Sequence, residues 1–383
     1  MSEYQYYEFT AVDRPLTTAE QAELRSLSTR ADITATSFVN TYQWGNFKGD
    51  PRKLMEKYFD AHLYLTNWGT REIMLRLPKR VLDPAVAADY CVSDSAFAWT
   101  SGKHVIVHLN REDEDGTDEF DIDGHGVLAS IIPARAGLAA GDLRLLYLGW
   151  LRCVQSLHLA DDEPEPPVPA GLDTLDASLT AVAEFLCIDR DLLSAAAAGS
   201  SPATADEPTA AKLRTWVRGL PGRDKDAILG ELITGDGNHL RSQLLRRYRD
   251  AHPPAASTTT TPRIAGELLA AATGLRAERE RRDAEQRNRE WVRRERSAAA
   301  ARQRHLDTLA VDQPAAWQRV DTLIATKKPR EYDTAVQLLV NLRDLGDRDG
   351  DTAAFQHRLA ELRAIHARKP SLLERLDLAG LDT

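Results

Sequence analysis

The 383 residues predict an α+β N-terminal domain followed by an all-α region with a long charged helix and a C-terminal helical module. Three observations lead to that reading. Eighteen of the 25 aromatic residues fall in the first 160 positions, among β-branched and alternating runs, so the strands and the best-packed core belong there. The remainder is rich in Ala, Leu and Arg, with apolar residues at helical spacing. Residues 264–309 hold no helix breaker except Gly274, which allows a rod of roughly 70 Å at ~1.5 Å per residue.

In chain order, segments 4–9, 33–44 and 73–77 read as strands from their β-branched and aromatic content and their alternation. Thr17 with Glu20 forms a capping box and Asp50-Pro51 an N-cap with proline at the first helical position, so helices are expected near 18–28 and 51–64. Segments 97–99 and 105–109, joined through Gly102, form a hairpin, and Leu143 to Val154 form an apolar helix able to lie across the sheet. The acidic, proline-rich run 161–167 reads as an extended linker that ends the first domain. Beyond it come a helical segment to about Ala196, a small-residue linker over 199–208, and amphipathic helices near 209–219, 223–233 and 239–251. A threonine-rich loop, 252–262, leads to the long helix. The expected division is a 1–160 α+β domain, a 171–252 helical domain, a 263–311 Arg/Glu-rich helix and a 312–383 helical module that ends near Lys369-Pro370.

Between Leu275 and Trp291 only Ala277 and Ala284 are apolar, so this stretch has no stripe to bury. Four acid-to-base pairs at i,i+4 are expected to stabilise it instead: Glu278–Arg282, Asp283–Arg287, Glu285–Arg289 and Glu290–Arg294. The segment 276–290 is thus expected to stand in water as a spacer. Three C-terminal helices follow, marked by Trp317 and Val320, by Tyr332 and Leu339, and by Phe355 and Leu362.

Composition excludes several classes. With 43% apolar and 28% charged residues the chain can bury a core, which rules out wholesale disorder and collagen-like structure. Cys91, Cys153 and Cys187 lie far apart and fit neither a disulfide framework nor a metal spacing, and the first ten residues lack the order of an export signal. No run approaches the ~18 apolar residues of a membrane span. A cytoplasmic location is expected.

Chemical motifs fail on inspection. His104 and His108 share a strand face but stand roughly 13 Å apart along it, too far for one ion, so exposed or satisfied histidines are expected. Residues 112–123 carry eight acids, yet a calcium loop begun at Glu119 would end on Ser130 rather than a bidentate Glu. Asp347 to Asp351 fails likewise, with Arg358 at the twelfth position, and reads as a turn and an N-cap. Gly124 to Ala129 spells the dinucleotide fingerprint, but an acidic loop precedes it where a buried strand is needed. Cys153 and Cys187 sit among apolar neighbours, which suits core positions rather than nucleophiles. No cofactor, metal ligand or catalytic residue is assigned.

The pattern Tyr7-Glu8-Phe9, Asp13-Arg14-Pro15-Leu16-Thr17, Trp44-Gly45, Phe47-Lys48-Gly49-Asp50-Pro51 and Asn67-Trp68-Gly69-Thr70 resembles a family of uncharacterised bacterial proteins without an assigned activity. The tail, from Tyr332-Asp333 through Leu338-Leu339 and Leu342-Arg343 to His366-Ala367-Arg368-Lys369, is similar to a helical tail on some bacterial SWIM zinc-finger proteins. The zinc finger's cysteine and histidine ligands have no counterpart here. The resemblance implies a bacterial intracellular protein with a docking-type tail and no chemistry.

A non-enzymatic adaptor or scaffold with protein partners is therefore expected. The candidate contact residues are Trp291, Arg293, Arg294, Arg241, Arg246, Arg247 and Arg249. The alternative is a nucleic-acid-associated protein that uses the Arg-rich helix and residues 239–251, although that helix, 276–304, carries a net charge of only +5. A third class, an enzyme with its pocket in residues 1–160, would draw on Trp44, Trp68, Asp50, His104, His108 and Cys91.

Overall fold

The computed structural model describes residues 3–112, 123–202, 210–233, 240–252 and 262–382. The chain divides into two compact units, Met1–Arg279 and Glu280–Thr383.

The first unit is built on a seven-stranded antiparallel sheet, β1 (Gln5–Thr10), β2 (Asp32–Ile33), β3 (Ser37–Tyr42), β4 (Ala61–Thr66), β5 (Arg71–Pro78), β6 (Ala96–Ser101) and β7 (His104–Arg111), in the order β2-β3-β1-β4-β5-β7-β6. Side chains alternate between two faces. Leu63, Leu65, Ile73, Leu75, Val105, Val107 and Leu109 face one core, shared with helices α4 (Val127–Ala139), α5 (Arg144–Gln155), α6 (Ala177–Phe185) and α7 (Arg190–Ala197). Phe9, Phe38, Met74 and Ile106 face a second core, capped by Leu24 of α1 (Thr18–Leu27) and by Leu54 and Met55 of α2 (Pro51–Lys57). Both predicted caps form: Thr17 and Glu20 make the reciprocal box, and Asp50 accepts from the amides of Arg52 and Lys53.

Several local expectations are corrected. The helix expected over 51–64 stops at Lys57, and 61–66 forms a central strand. Ala61, Leu63 and Leu65 feed one core while His62 and Tyr64 feed the other face, so a strand buries both sides where a helix would expose one. The strand expected over 33–44 is a two-residue β2 and a six-residue β3, turned by Thr34, whose hydroxyl accepts from the amides of Thr36 and Ser37. Helices α3 (Pro84–Ala88) and α4 were not foreseen; α4 starts at Gly126 with φ 82°, a left-handed conformation suited to glycine.

The 161–167 run is extended but does not separate anything. Glu165 accepts two hydrogen bonds from the Arg263 guanidinium, at 2.7 and 2.8 Å, and one from the Tyr147 hydroxyl. Backbone bonds join Glu165 to Arg263 and Ala265 to Glu163. Leu179, Val182, Leu192 and Ala196 share the core of the sheet with Ala265, Leu268 and Ala272 from the start of the long helix. Helices α8 (Ala210–Gly219), α9 (Gly222–Ile233) and α10 (Leu240–Ala251) follow α7, and Leu240 and Leu245 of α10 are buried.

The long helix, α11 (Ala265–Val311), runs from the first unit into the second. Its stretch 281–291 is exposed as expected, and Glu285 pairs with Arg289 at 3.8 Å and with Arg281 at 4.0 Å. The segment 276–290 is not free along its whole length, however. Arg276 bonds Asp189 at 2.7 Å and Arg279 bonds Asp191 at 2.8 Å, which ties this part of the helix to the N-terminus of α7.

The second unit contains the end of α11 with α12 (Gln313–Ala325), α13 (Pro329–Asp349), α14 (Thr352–Ile365) and α15 (Pro370–Leu378). Its core of Trp317, Val320, Ile324, Leu339, Leu342, Phe355, Leu359, Leu372 and Leu376 is separate from those of the first unit. Lys369-Pro370, expected as the end of the module, opens α15 instead, because proline at the first helical position costs no hydrogen bond. Gly350, φ 77°, closes α13, and Asp351 takes the N-cap position of α14 without a side-chain cap bond.

Candidate functional site

The richest arrangement of polar chemistry lies on the sheet face beneath α2. In the antiparallel register His62 of β4 pairs with Met74 of β5, and Met74 pairs with His108 of β7. Glu72 lies on the same face one pair further along, opposite Tyr64. Three titratable groups that are 10 to 46 positions apart in sequence are thereby brought together.

His62 is fully buried and stacks on Phe9, with ring centroids 3.9 Å apart. Its Nδ1 lies 2.9 Å from the Glu8 carbonyl oxygen, which can only accept, so Nδ1 carries the hydrogen and Nε2 is a lone pair when the ring is neutral. Nε2 lies 3.8 Å from Glu72 Oε1. His108 Nε2 approaches the same oxygen at 3.2 Å but is not aligned as a hydrogen bond. Neither ring nitrogen of His108 nor Nε2 of His62 has a hydrogen-bond partner. Burial pushes the His62 imidazole down to about 4, against the pull of Glu72. Burial opposes ionisation of Glu72, yet His108, His62 and Arg52 together hold its carboxyl below the usual range. Beside the cluster, the hydroxyls of Tyr7 and Tyr64 both donate to Gln5 Oε1, at 2.9 and 3.2 Å.

His108 is 4% exposed, and its Nε2 faces the Glu72 carboxylate at 3.2 Å. His104 is partly exposed at the far end of β7. Trp44 and Trp68 are 69% and 37% exposed, so these two are not core aromatics, whereas Trp150 is buried. Asp50 acts as the α2 cap. Burial pushes the Cys91 thiol up to about 12 and also raises that of Cys153, so neither is a thiolate nucleophile near neutral pH. Among the described residues no group of three His, Cys, Asp or Glu side chains is placed to hold a metal ion. Most of the acidic run 112–123 lies outside the described residues, as does the glycine turn between α9 and α10.

The arginine candidates are spread over different roles. Arg246 donates to the Val81 carbonyl at 2.9 Å and Arg247 pairs with Asp224 at 2.8 Å, so both serve packing of α10. Arg241 is exposed, and the Arg249 side chain lies outside the described residues. Trp291 is 60% exposed on α11, with Arg293 and Arg294 exposed beside it. Elsewhere an open cavity of about 450 Å³ lies along α6 and α7, with Leu175, Ala183 and Leu193 on its walls and Glu184, Cys187 and Arg190 at its polar positions.

Sequence reasoning missed His62 and Glu72. The one available signal was the alternation in Ala61-His62-Leu63-Tyr64-Leu65-Thr66, which places His62 and Tyr64 on one face once the segment is read as a strand. No protein-family model, no curated protein and no solved structure matches the chain. Among the described residues no helix is long and apolar enough to cross a membrane.

Proposed function

We propose that the chain is a non-enzymatic adaptor whose helical second unit docks a protein partner. The observation that carries this reading is the separate core of residues 280–383, whose fifteen buried apolar residues belong to none of the clusters of the first unit. A module with its own core can keep its shape while it presents a surface. On this one Ile365, Leu378 and Val311 are 76%, 83% and 87% exposed, and large apolar side chains this open to water are candidates for covering by another chain. The bacterial, intracellular setting implied by the family resemblance fits such a role and is part of the proposal.

Affinity capture from the native host with the full chain and with an Ile365→Asp, Leu378→Asp variant tests it. A specific protein enriched by the full chain and lost from the variant is the expected result. Identical captured sets, with the variant still folded by circular dichroism, would sink the adaptor reading.

The nucleic-acid alternative retains one specific support, the exposed Arg287, Arg293, Arg294 and Arg296 on α11. Electrostatic binding of this kind weakens steeply with salt. A gel shift at physiological salt that fades as salt rises, and that an Arg293→Ala, Arg294→Ala variant reduces, would favour it over the adaptor.

A further inference from the structure

The two edges of the sheet differ. On one side it ends in β2, which is two residues long and carries the exposed Asp32, the kind of short, charged edge that resists further pairing. On the other it ends in β6, which pairs only with β7. Backbone groups of a strand point alternately to its two sides. The Asn110 amide donates to the Ser95 carbonyl, so Ser95, Phe97, Trp99 and Ser101 are the residues whose backbone turns toward β7. Ala96 instead exchanges bonds of 3.0 and 3.2 Å with Ser93 on the outer side. Ala98 and Thr100 point outward with it, and among the described residues their amides and carbonyls have no hydrogen-bond partner. The run Ala96 to Ser101 holds no charge and no proline, so nothing on the strand itself guards this edge.

We propose that β6 is the docking edge for a second copy of this chain, whose own β6 adds to it antiparallel and joins the two sheets into one. Direction and register follow from the strand. About a two-fold axis at Trp99, Ala98 of each copy meets Thr100 of the other, and each pair exchanges both of its outward backbone bonds. Charges stand only at the two ends, the exposed Asp94 before the strand and the exposed Lys103 after it. Antiparallel pairing brings Asp94 of each copy to the Lys103 end of the other, whereas parallel pairing would set each charge beside its like. An extended peptide from another protein could fill the same backbone bonds. Opposite charges at nearly equal distances from Trp99, however, are what a strand that pairs with itself requires.

The side chains suit the same arrangement. Trp99 would face Trp99 of the other copy in a pair without backbone bonds, where side chains approach most closely, and Phe97 would face Ser101. Both rings are half-buried and already held in place: the Arg52 guanidinium lies over them at 4.9 and 5.6 Å, and the Trp99 indole donates to Glu56 at 2.9 Å. Little side-chain freedom is left to lose on pairing. The bonds between Ser93 and Ala96 close the first residue of the strand, so the shared stretch is residues 97–101. One short strand falls below the ~1,200 Å² of total buried surface that stable interfaces start from, so the dimer is reversible and depends on concentration.

Sedimentation velocity of the full chain over a wide concentration range, with hydrogen exchange at both ends of that range, tests the proposal. The expected result is a reversible dimer in which the amides of Ala98 and Thr100 exchange about tenfold more slowly at high concentration, while those of α8 and α9 do not change. Thr100→Pro removes an outward amide that β7 does not use, and Thr100→Lys keeps the amide but sets a charge in the seam. Thr100 is exposed, so both variants should melt as the wild type does, yet each should weaken the dimer about tenfold or more. A chain that stays monomeric throughout overturns the proposal, as does a dimer that leaves Ala98 and Thr100 unprotected or one that both variants retain at full strength. Protection of these two amides that appears only when another protein is present overturns it as well. The adaptor reading rests on the second unit and stands or falls separately.

Discussion

Replacing Asp60 with Ala should destabilise the first unit more than any other single change of a charged side chain. Asp60 is fully buried at the junction of α2 and β4. One carboxylate oxygen accepts from Arg76 Nη2 and Nε, at 2.8 and 3.2 Å. The other accepts from the amides of Val12 and Asp13, at 2.7 and 2.9 Å. Arg135 stands 3.8 Å from the first oxygen and holds Asp13 at 2.8 Å, so Asp60 is the close partner of Arg76, whose side chain is 7% exposed, and a second, more distant anion for Arg135. Removal leaves the buried Arg76 guanidinium without its carboxylate and two amides without an acceptor, while Arg135 keeps Asp13. Breaking a buried pair in this way costs about 3–5 kcal/mol. That is a large part of the roughly 5–15 kcal/mol that holds a typical domain folded.

Urea unfolding, followed by exchange in β1, β4 and β5 so that the first unit is read apart from the second, measures the cost. Asp60→Asn is the informative companion. It restores an acceptor for the amides but no charge, so it should recover part of the loss and leave most of it. A loss below about 1 kcal/mol for Asp60→Ala would refute the argument, since surface-like values belong to pairs that water already screens.

His62 titrates near 6.5 in the unfolded chain and about 4 in the folded one, so between those values the unfolded state binds more protons and stability falls as pH falls. The loss should reach about 3 kcal/mol by pH 4, and His62→Gln should remove this component when melting is compared at pH 7.5 and 4.5. Glu165→Ala strips Arg263 and Tyr147 of a shared buried acceptor and should cost about 2–4 kcal/mol, with faster exchange at the start of α11 as the readout. The exposed pair Glu285 and Arg289 should be replaceable by Ala with no more than ~0.5 kcal/mol lost by thermal melting. Cys91 and Cys153 should stay unlabelled by a thiol reagent at pH 8 until the chain is unfolded, because burial raises both thiols.

Local signals carried a good part of the fold. Caps at Thr17 and Asp50, the hairpin around Gly102 and the unbroken run of α11 were legible because each depends on residues three or four positions apart. Where reading failed, a decision was made by contacts across the sheet. Pro51 started a helix correctly, but nothing local ended it at Lys57; what ends it is the demand of β1 and β5 for a partner on both sides of β4. The 161–167 run looked like a linker because charge and proline suit solvent. Arg263, almost a hundred residues later, turns its Glu165 into a buried anchor.

The candidate site follows the same logic more severely. A strand shows only its own alternation, so His104 and His108 could be compared with each other along β7 but with nothing across the sheet. The neighbour that matters to His108 is on β5, and His62 reaches the same carboxylate from β4, on its other side. Register decides such meetings, and a shift of one residue in any of the three strands would turn its member of the cluster to the opposite face. Two buried imidazoles around one carboxylate therefore persist only because the large apolar face of the same strands, Leu63, Leu75 and Val107 among them, fixes that register from beneath. Loosening the apolar face, as in Leu75→Ala, should weaken the strands and the cluster together.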